Sequence, residues 1–216
     1  MASKFKNSMK KITTLILLLI STYGFSQEYK LEDAQKTKTD FLQALKILDL
    51  PEGKELLAEL VFETNNSYPV VSSSNLIFEK LFDTDINGIK GYKALLEIQT
   101  LSKANTPLTI RYLLISYHVK KENKWKVFEF RESIDVEREI MLAKSDLDKI
   151  SKYLELQYKL RRLAYWQILN GELLESKNNF LKAYKVAQSK KDDKFNIPTY
   201  LLLDAIVDFE NLDKKE

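Results

Sequence analysis

The chain has 216 residues, of which 44% are hydrophobic and 30% are charged, so it can bury a core and lacks the composition of a disordered protein. It contains 34 basic residues, 31 acidic residues, one histidine and no cysteine. The composition therefore excludes disulfide bonds and any metal site built from several histidines, and we predict no cofactor.

The first 26 residues have the layout of a secretory signal peptide. Lys10 and Lys11 form a basic start, residues 12–20 are apolar, and Gly24 and Ser26 are small residues at a suitable cleavage position. The alternative is a membrane-spanning helix, which needs about 20 apolar residues, more than this stretch offers. We therefore predict cleavage near Ser26 and a periplasmic or secreted mature protein.

Cleavage changes the charge of the protein. Residues 1–26 contain four lysines and no acidic residue, so the net charge falls from +3 to −1. We therefore predict no nucleic-acid binding, because the basic surface that neutralises phosphates is missing. No cysteine follows the cleavage site to carry a lipid anchor, so we also predict no stable membrane insertion after cleavage. Met9 is an alternative start of the chain.

The mature chain begins with a predicted pair of helices. Residues 31–48 place apolar side chains at helical spacing, and Pro51 separates them from a second, shorter helix. A polar loop follows. Ser74 is a candidate N-cap for a further helix over residues 75–82.

The middle of the chain predicts an antiparallel sheet. β-branched and aromatic residues flank a polar break near Asn123, which predicts a hairpin with Tyr117 opposite Phe128 and Ile115 opposite Phe130. Because two strands alone are marginally stable, the hairpin needs a third strand or helices to pack against.

Residues 91–101 are the candidate third strand. Leu96, Ile98 and Thr100 alternate as a half-buried strand requires, although a helix fits the same residues.

The last third of the chain predicts helices. Ser145 and Asp148 resemble a capping box at the start of a long helix that Gly171 ends. Residues 173–187 form the next predicted helix, and Pro198 suits the first turn of the last one.

The helical hairpin before residue 187 resembles a tetratricopeptide repeat. That family places a large residue, small residues, a glycine at the turn and an aromatic residue at fixed positions, over about 34 residues. The chain lacks the closing proline and a second copy, so a repeat scaffold and a helical bundle with one such hairpin both remain open. The resemblance implies a partner-binding or packing hairpin built from Leu160, Leu163, Ala164, Gly171, Ser176, Phe180 and Ala183.

The segment DTDING matches the first half of an EF-hand calcium loop. Asp83, Asp85 and Asn87 would supply oxygen ligands, and Gly88 would make the sharp turn. The twelfth loop position is Ala94, where the motif needs a bidentate glutamate. We therefore predict no tight calcium binding, with an Asx-rich turn after a helix as the structural alternative.

His118 is the only histidine of the chain. The predicted hairpin register places it on one face with Ser116 and Glu129, but neighbouring strand side chains point side by side, and no nucleophile elbow is present. We therefore predict a surface or half-buried strand histidine, and no catalytic residue is assigned.

Together these patterns predict a mostly helical α+β fold with N-terminal helices, a small antiparallel sheet containing a hairpin, and C-terminal helical hairpins. The predicted units are residues 27–134 and 135–216, either separate or packed as one.

The leading functional prediction is a non-catalytic exported protein that binds a protein or peptide partner through its C-terminal helices. The first alternative is a small-molecule-binding protein with the ligand between the sheet and the N-terminal helices, an arrangement similar at fold level to NTF2-like domains. The second alternative is a hydrolase. The oligomeric state does not follow from the sequence.

Overall fold

The computed structural model describes residues 29–62, 67–101, 106–147, 153–189, 203–204 and 206–207. The predicted signal peptide and Pro198 lie outside the described residues. Within them, five helices and one four-stranded antiparallel sheet confirm the predicted α+β fold, with more helical than strand residues. The helices are α1 (Leu31–Lys46), α2 (Pro51–Leu60), α3 (Val136–Leu147), α4 (Tyr153–Asn170) and α5 (Leu173–Ser189), and the strands are β1 (Ser73–Asp83), β2 (Lys90–Leu101), β3 (Pro107–Val119) and β4 (Lys124–Glu132).

The sheet is a meander in which each strand pairs with its neighbour in sequence, in the order β1-β2-β3-β4. Residues 91–101 are a strand, which resolves the choice between strand and helix in favour of β2. Tyr92, Ala94, Leu96 and Ile98 of this strand are buried in alternation, as expected for a strand with one face against a core.

The predicted helix over residues 75–82 is wrong, because these residues belong to β1. Pairing with β2 runs from Ser73 opposite Gln99 to Asp83 opposite Lys90, interrupted by a bulge at Ile77. A short apolar run fits either period, and the neighbouring strand decides between them by supplying a continuous set of backbone hydrogen bonds.

The β3–β4 hairpin is present, but its predicted register is wrong. Tyr117 pairs with Lys126 and Ile115 with Glu129, and Phe128 lies in a bulge between these pairs. The turn is centred one residue earlier than predicted, and Asn123 adopts a positive φ of 52° at its end. A one-residue bulge is not visible in an alternating pattern, and it changes which side chains face each other.

The sheet lies between two layers of helices. The N-terminal layer, α1 and α2, packs through Phe41 and Leu45 on the face that carries Leu96, Leu114 and Phe130.

The C-terminal layer, α3 to α5, packs on the opposite face, where Ile168 and Phe180 join Ile115, Tyr117 and Phe128 in one core. This second core takes side chains from both predicted units, 27–134 and 135–216, so the two units share a hydrophobic core.

The capping box predicted at Ser145 is wrong, because Ser145 lies in the last turn of α3. The start of α3 is capped instead by Asp135, whose side chain accepts a hydrogen bond from the backbone N–H of Arg138 at 3.0 Å. An aspartate at this position satisfies an N–H that has no partner within the helix, so it caps α3. Among the residues that the structure describes, no helix is long and apolar enough to cross a membrane.

Candidate functional site

A cleft of about 290 Å³ opens between the start of α1 and the turn of the β3–β4 hairpin. It lies on the sheet face that the N-terminal helices cover. Its lining combines aromatic rings with charged side chains of both signs, which makes it the leading candidate for a ligand site among the described residues. The lining residues are Tyr29, Asp33, Lys36, Thr37, His118, Asn123, Lys124 and Trp125.

Three rings form the inner wall of the cleft. His118 and Trp125 are cross-strand partners in the hairpin, with ring centroids 5.8 Å apart. Tyr29, which precedes α1, contacts both rings edge-on, at 5.2 Å from His118 and 6.0 Å from Trp125. Edge-to-face contacts of this kind are favourable beyond simple burial, so the chain entering α1 is held against the hairpin.

His118 is more buried than the sequence predicted, with 7% of its surface exposed. Burial lowers the pKa of the imidazole below its ordinary value. The charge of Asp33 and a backbone hydrogen bond with Asn123 oppose this shift, whereas Lys120 adds to it. The neutral imidazole is therefore the favoured form at neutral pH.

The Ser–His–acid arrangement considered from the sequence does not assemble. Ser116 and His118 share the face towards the N-terminal helices, but the bulge turns Glu129 to the opposite face. There Glu129 accepts a hydrogen bond from the hydroxyl of Tyr165 on α4.

Charged side chains form the rim of the cleft. Lys36 contacts Asp40 at 2.5 Å and Lys124 contacts Glu122 at 3.1 Å, and all four side chains are at least one-third exposed. Exposed pairs of this kind contribute little to stability and break readily, so both lysines can turn towards a ligand. Asp33 is exposed on the first turn of α1.

A charge cluster fixes α1 on the sheet and thereby places the rim residues. The carboxylate of Glu79 on β1 accepts hydrogen bonds from Lys38 at 2.5 Å, from Gln35 at 2.6 Å and from the hydroxyl of Tyr92. Burial raises the pKa of Glu79, but the hydrogen bonds and the Lys38 charge together outweigh it, so the pKa lies below its usual value. Gln35 and Lys38 lie on the same turns of α1 as Asp33 and Lys36. The cluster therefore sets the position of these two rim residues.

The seven residues of the predicted tetratricopeptide-like hairpin lie in or beside the α4–α5 packing. The two helices are linked by a hydrogen bond from Ser176 Oγ to the Ala164 carbonyl, at 2.7 Å. The burial of these residues shows that they pack within the fold. Partner binding through this hairpin remains a prediction. All seven are buried: Leu160, Leu163, Ala164, Gly171, Ser176, Phe180 and Ala183.

Gly171 has two reasons to be glycine. Its φ is +85°, and a Cβ there would lie 2.9 Å from the ring of Phe82 and 3.0 Å from the carbonyl oxygen of Asp83. A side chain would therefore be strained by its backbone angle and would also push α4 away from β1.

The residues of the predicted calcium half-loop have other partners. Asp85 accepts hydrogen bonds from the backbone N–H groups of Leu174 and Glu175 at the start of α5, and Asp83 contacts Lys90 at 3.1 Å. Gly88 makes the expected turn with a φ of +75°. The side chain of Asn87, the third candidate ligand, is exposed. Among the described residues, no group of three or more acidic or histidine side chains is placed to hold a metal ion.

The sequence did not predict the contacts of His118 with Trp125 and Tyr29. A turn centred one residue earlier would have paired His118 with Trp125. Tyr29 precedes α1, so the helical spacing of apolar residues gives no indication that its ring contacts the hairpin. No protein-family model, no curated protein and no solved structure matches the chain.

Proposed function

We propose that the protein is an exported, non-catalytic binding protein that holds a small molecule in the cleft between α1 and the β3–β4 hairpin. The observation that carries the proposal is the wall of three rings, Tyr29, His118 and Trp125, beneath a rim with both signs of charge. Export rests on the signal-peptide pattern of residues 1–26.

The chemistry of the lining indicates the class of ligand. Aromatic edges and faces favour a planar or apolar group, and a polar rim fixes its orientation. Asp33 can accept from a donor or cation, and Lys36 and Lys124 can pair with a carboxylate or phosphate. A small zwitterionic or anionic molecule with one planar part therefore fits this cleft best.

The cleft also suits binding more than acid–base catalysis. Glu129, the acid that a Ser–His–acid arrangement would need, faces the other side of the sheet, and burial favours the neutral form of His118. The rings constrain its orientation. These features support a recognition surface with a neutral hydrogen-bonding imidazole.

The experiment is recovery of bound molecules from the protein purified from its native source. Mass spectrometry of the denatured extract should identify a small species that is present with the unchanged protein and depleted in Asp33→Asn and Lys36→Met. Lys182→Met, which alters an exposed lysine on α5, is the matched control. Equal recovery from the cleft variants and the control would contradict the proposal.

Partner binding through the C-terminal helices remains a second candidate function. The observation that favours it is the exposure of apolar side chains on α3 and α4, with Met141 63% and Tyr158 62% exposed and Leu142 nearly half exposed. Large exposed apolar side chains are common at protein interfaces. Cross-linking from position 158 tests this candidate: it should capture a protein partner that Met141→Lys releases.

A further inference from the structure

A second, smaller cleft lies at the other side of the sheet, between β1, β2 and the C-terminal helices. Its volume is about 140 Å³, and Phe82 and Leu169 provide its apolar floor. Its polar lining consists of two lysines, two acidic residues and one amide: Lys80, Lys93, Asp83, Glu137 and Asn170.

Lys80 and Lys93 are directly opposite each other in the β1–β2 ladder. Cross-strand partners project from the same face of a sheet with their Cβ atoms about 5 Å apart, so the two ammonium groups share one side of this cleft. Like charges in this arrangement repel and destabilise the pair. A feature that costs stability and lines a cavity is a candidate binding feature.

The surrounding acids offset these charges only in part. Asp83 contacts Lys90 at 3.1 Å, a lysine outside the cleft lining. None of the ion pairs within the described ranges includes Lys80 or Lys93. Lys80, Lys90 and Lys93 therefore share two acids of the lining, Asp83 and Glu137, which leaves one positive charge in excess among these five groups.

The protonation of Lys93 reflects its burial first and the neighbouring lysine second. Burial lowers the pKa of the Lys93 ammonium, and the charge of Lys80 lowers it further. Glu137 and Asp135 act in the opposite direction but do not restore the ordinary value.

We propose that this second cleft binds a small oxyanion, a carboxylate or phosphate group, between Lys80 and Lys93. Asn170 lies at the same cleft and uses one amide N–H on Glu172, at 2.9 Å, so its second N–H remains for the anion. Phe82 and Leu169 accommodate a short apolar part of the ligand. The site is independent of the cleft at His118.

Anion binding at this site has a thermodynamic signature. An anion next to Lys93 stabilises the ammonium form and raises its pKa, so the complex takes up protons at any pH at which Lys93 is partly neutral in the free protein. Ordinary surface attraction of an anion does not shift the pKa of a particular half-buried lysine.

Isothermal titration of the full chain with inorganic phosphate and, separately, with acetate tests the proposal at constant ionic strength set by sodium chloride. Lys80→Met and Lys93→Met should each weaken the anion that binds by about tenfold, since each removes a charge-assisted hydrogen bond. The matched control Lys182→Met should change binding by less than about twofold. Glu137→Gln removes a competing negative charge and should strengthen binding. The anion with the larger affinity identifies the ligand chemistry.

Repeating the titration at alkaline pH, where lysine is partly neutral and both anions keep a fixed charge, in buffers of different ionisation enthalpy measures the protons taken up. Uptake should be present in the unchanged protein and in Lys182→Met, and absent in Lys93→Met. Circular dichroism of each variant verifies that it is folded. The proposal is overturned if neither anion binds more strongly than chloride, if Lys93→Met behaves like Lys182→Met, or if binding takes up no protons.

Discussion

The two helical layers are attached to the sheet by different kinds of interaction. The N-terminal layer is anchored by a cluster of charged and polar groups, in which Glu79 accepts from Lys38, Gln35 and Tyr92. The C-terminal layer is anchored by a buried hydrogen bond from Tyr117 to the Ile168 carbonyl and by large apolar side chains such as Phe180.

Because of this difference, the two layers should loosen under different conditions. A protonated carboxyl group accepts hydrogen bonds more weakly and has no charge to pair with Lys38, so the attachment of α1 depends on pH. Burial strongly raises the pKa of the Tyr117 hydroxyl, so that anchor stays neutral across the physiological range. The cleft with His118 lies on the pH-dependent side, whereas apolar packing dominates the other.

The largest expected effect is the removal of Phe180 from the C-terminal layer. Phe180 is 4% exposed in the core between α4, α5 and the sheet. Phe180→Ala should lower the free energy of unfolding by about 3–5 kcal/mol, because it removes buried apolar surface and leaves a cavity. Equilibrium urea unfolding at pH 7 measures this change.

Asn178→Ala and Lys182→Ala are the matched controls, since both residues are exposed on the same helix. Each should change the free energy of unfolding by less than about 0.5 kcal/mol. A loss for Phe180→Ala as small as that for Lys182→Ala would contradict the packing of α5 on the sheet.

The sequence predictions succeeded where the cause of a structure is local in the chain and failed where the cause is distant. The α4–α5 hairpin was predictable because its apolar spacing and Gly171 are local signals, and the β3–β4 hairpin because its turn and β-branched residues are local as well. The strand β1 was not predictable from local signals, because residues 75–82 become a strand through pairing with β2. The same limit applies to the cleft, where Tyr29 meets residues about 90 positions away.

The next largest effect is expected at the anchor of the N-terminal layer. Glu79→Gln replaces the carboxylate by an amide and leaves the largely buried Lys38 ammonium without its counter-charge. Hydrogen bonds to charged groups contribute about 1.5–3 kcal/mol, so a loss of about this size is expected at pH 7.

The pH dependence of this effect follows from the direction of the pKa shift. The native pKa of Glu79 lies below its unfolded value, near 4.5, so the stabilisation is complete above that pH and is lost as the pH falls through the native pKa. Urea unfolding at pH 7 and pH 3 should show the difference between the unchanged protein and Glu79→Gln shrinking in acid. Glu59→Gln, on the exposed side of α2, serves as the control. A difference that is equal at both pH values would show that the anchor does not depend on ionisation.

The smallest effect is expected at the connection between β1 and α5, where a single exposed carboxylate acts on the apolar layer. Asp85 accepts hydrogen bonds from the backbone N–H of Leu174 at 3.1 Å and from that of Glu175 at 3.3 Å. These N–H groups lie in the first turn of α5 and have no acceptor within the helix, so Asp85 caps it from a distant loop.

Asp85→Ala should lower the free energy of unfolding by about 1 kcal/mol. Asp85→Asn keeps an oxygen acceptor at the same place and should cost less, with any remaining loss due to the helix dipole. Urea unfolding of both variants, with and without added calcium, measures the cap and tests the predicted absence of tight calcium binding together. A calcium-dependent rise in the stability of the unchanged protein that Asp85→Ala abolishes would mean that this carboxylate serves a metal ion rather than α5.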